Sequence, residues 1–131
     1  MAIQVEVVQT GVSTAEGRAR QHTVIIDRPL DKGGQDAGMM GGEQLLVALG
    51  GCFISNLLAA IRAREAGIEN VRVELSGTLE SAPSRFRAIE AVVRADTADQ
   101  ALLEKLVDMA DKACICANTL RPAVALSFRV A

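Results

Sequence analysis

Apolar and polar residues alternate from the start of the chain: Ile3, Val5 and Val7 are spaced by Gln4 and Glu6, the period-two signature of a half-buried strand. Thr10 to Gly17 reads as a turn-like stretch, and His22-Thr23-Val24-Ile25-Ile26 as a second strand. The segment DRPLDKGGQDAGMMGG, from Asp27 to Gly42, is rich in glycine and reads as a long loop, a feature more often functional than not in a compact domain. A helix is predicted next, over Glu43 to Ala66, with Gly67 as its C-terminal cap. Its apolar residues (Leu45, Leu46, Val47, Leu49, Phe53, Ile54, Leu57, Leu58, Ile61) point in every direction. A helix apolar all round must be covered all round. Unbroken, it would be about 36 Å long at 1.5 Å per residue, against a radius of gyration of about 14 Å for a domain of this size. A second subunit would supply the missing cover.

The clearest strand follows, with Val71, Val73, Leu75 and Leu79 on one face and Arg72, Glu74, Ser76 and Thr78 on the other. SAPS at 81 to 84 is a turn, and Phe86 to Arg94 returns as the hairpin partner. Thr97 and Gln100 form a capping box for a helix running to about Ala113. Its buried stripe is Leu102, Leu103, Leu106, Val107, Ala110 and Ala113. After CICANTLRP, Val124, Leu126, Phe128 and Val130 make a last strand. The order ββ, helix, ββ, helix, β describes an α+β fold, a sheet with two helices segregated onto it. At 131 residues the expectation is one domain, residues 1–131.

Half the residues are hydrophobic and 23% are charged, which is ordinary for a soluble protein. A net charge of −2 gives no electrostatic reason to expect nucleic acid or an anionic membrane as a partner. The apolar run at 45 to 61 is interrupted by Ser55 and Asn56, so a membrane span is not expected. Met1 to Glu6 has neither the basic start nor the apolar block of a signal peptide. Three cysteines, an odd number, then argue for thiols in a reducing compartment, the cytoplasm by default.

Cys52 is the first candidate for chemistry. One reading makes it a small hydrophobe in a packed helix. The other starts from Gly50-Gly51: if the helix kinks there, Cys52 lies near a helix N-terminus that stabilises a thiolate. Cys114 and Cys116 form a C-x-C pair, but His22 is the one histidine available to complete a metal site, so no metal is expected. His22 otherwise reads as an ordinary strand residue. Glu43, at the start of the central helix, is favoured there by the helix dipole whatever else it does. It lies nine positions before Cys52, on a different face of a straight helix, so direct pairing would need the kink. Arg18, Arg20 and Arg28 lie in or near loops, solvated or able to swing over a thiolate.

The run HTVIIDRPLDKGGQDAGMMGGEQLLVALGGCF, the strand pair after it and KACICANTL together resemble the OsmC/Ohr family of small thiol proteins. The resemblance covers nearly the whole chain and includes the element order. Two cysteines carry it: Cys52 in the central apolar helix, and Cys114 some 62 positions later, with Leu120 at the spacing of the family's C-x-x-x-x-x-L stretch. Cys116 stands where the family usually has a small apolar residue and is expected to be dispensable. Hydroperoxide-reducing members carry a Pro-Glu pair at the position of Gly42, one residue before Glu43, and an arginine in a Gly-Gly-Arg turn where this chain has EGRAR, with Arg18 and Arg20. HTVIID and ALGGC look closer to another branch of the family.

The resemblance implies an intertwined α+β homodimer with the central helices buried at the interface. It implies a cysteine-based peroxidase in which Cys52 reduces an organic hydroperoxide and becomes a sulfenic acid. Cys114 then closes a Cys52–Cys114 disulfide, and an external dithiol, such as one of lipoyl type, restores both. Glu43 and Arg18 or Arg20 would support the thiolate, and no metal or flavin is required. The rival readings are a non-peroxidatic thiol or small-ligand-binding protein on the same fold, and a structural dimeric module whose cysteines are core residues.

Overall fold

The computed structural model describes every residue from Met1 to Ala131, and the fold is α+β with two separate sheets and three α-helices. Two compact units are distinguished, Met1–Leu45 and Leu46–Ala131. The expectation of one sheet is corrected: hydrophobic periodicity locates strands but carries no information on which of them pair.

The first unit is an antiparallel meander of β1 (Glu6–Gln9), β2 (Ala15–Ala19) and β3 (His22–Ile26). β3 is the predicted strand. β1 starts later than the alternation of Ile3, Val5 and Val7 suggested, and Ile3, Val5 and Val7 are all exposed in the single chain. β2 falls inside and beyond the stretch expected to be a turn. Its sequence AEGRA lacks β-branched residues, yet Gly17 is buried opposite Val24 and the strand is held from both sides.

The long loop after β3 is organised by one carboxylate. Asp27 is buried, and its two oxygens accept backbone N–H groups from Arg28 (2.7 Å), Gln35 (3.1 Å) and Ala37 (3.1 Å). A short 3-10 turn, Leu30–Lys32, occupies the excursion, and Gly34 packs so closely on the Arg28 carbonyl that a Cβ would lie 1.9 Å from its oxygen. The chain then returns as an isolated bridge between Ile26 and Met39.

Helix α1 (Gly41–Ala63) runs without a break, so of the two readings of Gly50-Gly51 the broken helix is absent. Glu43 is the third residue of the helix, and its Oε1 accepts the Met40 N–H at 2.9 Å, a reach back over the helix start. At the other end Gly67 is not the cap. Glu65 takes the left-handed conformation (φ 46°), with its N–H on the Arg62 carbonyl and the Ala66 N–H on that of Ile61, a Schellman arrangement. By length and composition α1 is the one helix able to cross a membrane. One stripe of it is nevertheless core: Leu49, Phe53 and Leu57 are fully buried and Ile61 nearly so. Leu45, Val47 and Leu58 stay exposed in the single chain, so the helix is covered on one side only.

That stripe lies on the second sheet, β4 (Glu69–Glu80), β5 (Arg85–Asp96) and β6 (Ala125–Val130), in the order β4-β5-β6. β4 and β5 are antiparallel and β6 runs parallel to β5, which requires the crossover that α2 (Gln100–Ala113) and α3 (Ile115–Leu120) provide. Register sets three rows of side chains under α1: Gly77–Ile89–Leu126, Leu75–Ala91–Phe128 and Val73–Val93–Val130. In the middle row the small Ala91 leaves room for Phe128 to rise and stack on Phe53 of α1, with ring centroids 4.4 Å apart. Each fully buried side chain of this size contributes about 1.5–3 kcal/mol. Gly50 is the close-approach point, since a Cβ there would lie 2.6 Å from Leu75 Cδ1, whereas around Gly51 nothing lies within 4 Å.

On α2, Leu103, Leu106, Val107 and Ala110 form the buried stripe, while Ala113 is exposed because the helix turns its last residue away from the core. The cap is Asp99, whose carboxylate accepts the Leu102 N–H at 3.0 Å. Thr97 sits one step too early for that role and accepts the Asp99 N–H instead, at 3.0 Å. Helix α3 was not expected: six residues are too few to show a helical period.

Two outcomes follow from this packing. Gly50→Ala should give a net loss of up to about 2 kcal/mol in urea unfolding, because overpacking against Leu75 costs about 1–3 kcal/mol and the gain in helix propensity is about 1 kcal/mol; a net gain would show that the Leu75 contact is slack. Asp27→Ala should lower the thermal midpoint by several degrees by removing the acceptor of three backbone N–H groups that organise the loop. Burial opposes the Asp27 charge, but the hydrogen bonds from Ala37, Arg28, Ser13 and Gln35 outweigh it and hold the carboxyl below its ordinary value. Its stabilising effect is therefore present above about pH 4, the unfolded carboxylate range, and is lost as pH falls through the lower, folded value. A difference between Asp27→Ala and the unaltered protein that stayed constant down to pH 2 would contradict this.

Candidate functional site

The three cysteines are all unpaired thiols, and they converge in the second unit. Cys52 lies in mid-α1, half-buried, one residue before the Phe53 that stacks on Phe128, so the docking of α1 fixes its place. One turn on, Asn56 Nδ2 donates to the Cys52 carbonyl at 2.9 Å. Cys114 is fully buried at the corner between α2 and α3, where it is at once the last cap of α2 and the first of α3. Cys116 is half-buried in the first turn of α3 and packs, like Cys52, against the core.

The corner is held by several bonds. The Cys114 N–H donates to the Asp111 carbonyl at 3.2 Å, the Asn118 N–H to the Cys114 carbonyl at 3.0 Å, and Asn118 Nδ2 to the Lys112 carbonyl at 3.0 Å. An Arg121–Asp111 ion pair spans the two helices. The N–H groups of the first turn of a helix have no partner within it. Here the Ala117 N–H donates to Cys114 Sγ at 3.4 Å.

The electrostatic result is asymmetric. Burial alone would raise the Cys52 pKa, but hydrogen bonds from the Cys116 N–H, the Cys114 thiol, the Ile115 N–H and the Cys116 thiol outweigh it and bring it below the ordinary 9.0. Cys114 is pushed up to about 11, by burial first and then, against the help of the Ala117 N–H, by hydrogen bonding and charge from Cys52. Cys116 is raised by burial and by the Cys52 charge and hydrogen bond. The group therefore carries one favoured thiolate, Cys52, with two neighbouring thiols that donate to it. No set of three or more His, Cys, Asp or Glu side chains is arranged to hold a metal ion.

The other sequence candidates belong to the first unit. Arg18, on β2, donates from Nε to Glu16 at 2.9 Å and lies 4.0 Å from Glu6. Arg20 occupies the β2–β3 turn in the left-handed conformation (φ 56°). His22 opens β3, exposed, and Glu43 serves the start of α1. Since α1 is unbroken, the route by which Glu43 was to pair with Cys52 is gone, and the thiolate support expected from an α1 terminus comes instead from α3. A cleft of about 400 Å³ in this unit is lined by Ser13, Asp27, Arg28 and Lys32, but Asp27 is already saturated by backbone donors. Sequence reading missed the Ile115 and Cys116 N–H groups, which have no side-chain signature, and gave Cys116 no part in the site. The one available signal was C-x-C itself, which puts two thiols in one helical turn.

The fold is similar along its whole length to solved structures. A hypothetical protein from Aquifex aeolicus VF5 matches with a TM-score of 0.86 at 16% identity, covering 100% of this chain and 96% of that one. An organic hydroperoxide resistance protein OsmC from Legionella pneumophila matches with a TM-score of 0.71 at 17% identity, covering 100% and 97%. The organic hydroperoxide resistance protein OhrB of Bacillus subtilis matches with a TM-score of 0.72 at 15% identity, covering 100% and 98%. At these identities the likeness is one of fold. No sequence among curated proteins matches this chain. The family model described as OsmC-like protein matches residues 33–129, the span that carries all three cysteines and most of the fold, and the chain is therefore a member of the OsmC-like protein family.

Proposed function

We propose that this protein is a thiol-dependent peroxidase that reduces organic hydroperoxides. The observation that carries the reading is the placing of three free thiols on one core cluster, Cys114 within it and Cys52 and Cys116 packed against it, and hydrogen bonding lowers the Cys52 pKa alone among them. Relatives of this fold bear the name organic hydroperoxide resistance protein, which agrees with a redox role. The Cys52 thiolate attacks the distal peroxide oxygen, the O–O bond breaks, and the alkoxide takes a proton to leave as alcohol. Cys52 is then a sulfenic acid. The Cys114 thiol attacks its sulfur, the S–O bond breaks, water leaves and a Cys52–Cys114 disulfide remains. An external dithiol reduces it by two exchange steps. Sulfur carries the whole redox change, so neither metal nor flavin enters the proposal, and a reducing compartment such as the cytoplasm suits its resting state.

The asymmetry of the thiols orders these steps. Burial first, and then the negative charge of Cys52 and hydrogen bonding to it, hold both neighbouring thiols in their protonated form. Once Cys52 has become a neutral sulfenic acid the restraint of its charge is lifted, and the resolving thiol ionises more readily when it is needed. Glu43 and the arginines stay in the proposal as residues implied by the family pattern. Arg18 is the weaker of the two arginines, because Glu16 already engages its guanidinium.

The exposed Leu45, Val47 and Leu58 on α1 lead us to propose a homodimer in which a second copy covers this side of the helix. Sedimentation should show a dimer wherever the protein is folded; a stable folded monomer would overturn the assembly.

Cys52→Ser should abolish consumption of cumene hydroperoxide by the reduced protein. The lowered Cys52 pKa means that more thiolate persists at a given pH below 9.0 than for an ordinary thiol. The rate of peroxide consumption should accordingly reach its plateau below that pH and fall only under more acidic conditions. Inertness of the unaltered protein toward organic hydroperoxides would sink the peroxidase reading.

A further inference from the structure

Helix α3 is six residues long, too short to be stable by itself, and it closes over a sulfur that solvent does not reach. Ala117 is its one fully buried residue, with Cys116 and Leu120 partly covered, whereas α2 before it buries Leu103, Leu106, Val107 and Ala110. Ile115 (69% exposed), Asn118 and Thr119 face outward, so no other part of the chain lies over them. Cys114 is the single non-helical residue between α2 and α3; it is 0% exposed, and its Sγ accepts the Ala117 N–H at 3.4 Å. Outside that bond the corner is tied by Asn118 Nδ2 on the Lys112 carbonyl and by the Arg121–Asp111 ion pair, both near the surface. A short element with few buried apolar contacts opens locally, at a lower cost than unfolding the whole protein.

We propose that α3 is a flap hinged at Cys114: it unwinds between Ile115 and Arg121 to present the Cys114 sulfur, and a covalent bond to that sulfur keeps it open. The second half follows from packing. A close-packed interior has no room for a group added to a fully buried atom, and a substituted sulfur no longer meets the Ala117 N–H as the thiol does. With a reagent such as methyl methanethiosulfonate, the Cys114 thiolate attacks the methylthio sulfur and a new S–S bond forms. The reagent's own S–S bond breaks, and methanesulfinate leaves with its electron pair. The flap itself needs no peroxide chemistry. Its use in turnover rests on the function proposed above: the bond is then the Cys52–Cys114 disulfide, and the opened flap admits an external dithiol to a sulfur that the closed corner hides.

The test labels the reduced, full-length protein with methyl methanethiosulfonate at urea concentrations below the unfolding transition, and peptide mass spectrometry follows each cysteine. The Cys114 rate should rise with urea along a slope shallower than that of global unfolding, measured by circular dichroism. A slope equal to the global one, or labelling that ignores urea, would overturn the flap. Asn118→Ala removes one outer tie and leaves every thiol in place. It should speed Cys114 labelling about two- to tenfold, the worth of one hydrogen bond, without changing the Cys52 rate. Arg121→Ala removes the other tie and serves if Asn118→Ala does not fold; an unchanged Cys114 rate in a folded variant would count against the hinge. Hydrogen exchange then examines the labelled protein. The amides of Ala117, Asn118 and Arg121 should lose protection while those of Leu103 to Ala110 keep it, and retained protection in α3 would overturn the claim that the bond holds the flap open. None of these steps uses peroxide. Gated labelling of Cys114 in a protein inert to cumene hydroperoxide would uphold the flap and count against the peroxidase reading alone.

Discussion

An α-helix begins with backbone N–H groups that have no partner inside the helix, and in α3 sulfur takes up those of the first turn. This sharing holds the site together. The Ala117 N–H goes to Cys114, which fixes the corner between α2 and α3, and hydrogen bonding from the α3 start lowers the pKa of Cys52 on another helix altogether. A neutral thiol is a weak acceptor for such donors and a thiolate a strong one, so the arrangement favours the charged form at the sulfur with more donors. Cys114 has fewer and is fully buried, and burial wins there.

Everything else in the second unit serves to bring α1 and α3 to that meeting. The parallel pairing of β6 with β5 obliges the chain to cross over through α2 and α3. The Asp111–Arg121 pair and the Asn118 bonds set the angle at which α3 leaves α2. On the other side, Phe53 stacks on Phe128 and Gly50 lets α1 sink onto Leu75, so Cys52 is placed by its immediate neighbours in the sequence. The glycine pair before the cysteine thus has a divided explanation. Gly50 is a close-packing residue, and Gly51 leaves open space on the exposed side of the helix. Neither breaks the helix, and the thiolate does not need them to.

Much of the fold is legible in the sequence because burial has a period. Val71 to Leu79, Val124 to Val130 and Leu103 to Ala110 each show one, and each is the element it predicts. What has no period was missed. β2 is a strand because its neighbours are strands, not because AEGRA favours one, and α3 is too short to repeat. Caps went astray by a residue or two for the same local reason: Asp99 outcompetes Thr97, and Glu65 accepts the left-handed turn that Gly67 seemed made for. Of the site, Cys52 and Cys114 were readable from their contexts. Cys116 and the α3 amides were not, since their part depends on a turn of helix that only the folded chain reveals.

The most direct measurement is the pH dependence of alkylation of each cysteine by iodoacetamide in the reduced, folded protein, resolved by peptide mass spectrometry. Only the thiolate reacts, so each residue reports its own ionisation. Cys52 should be half-reactive at a pH below the ordinary thiol value, and Cys114 and Cys116 only above it. Cys52 reacting no earlier than its two neighbours would contradict the claim that the α3 amides make it the thiolate of this site.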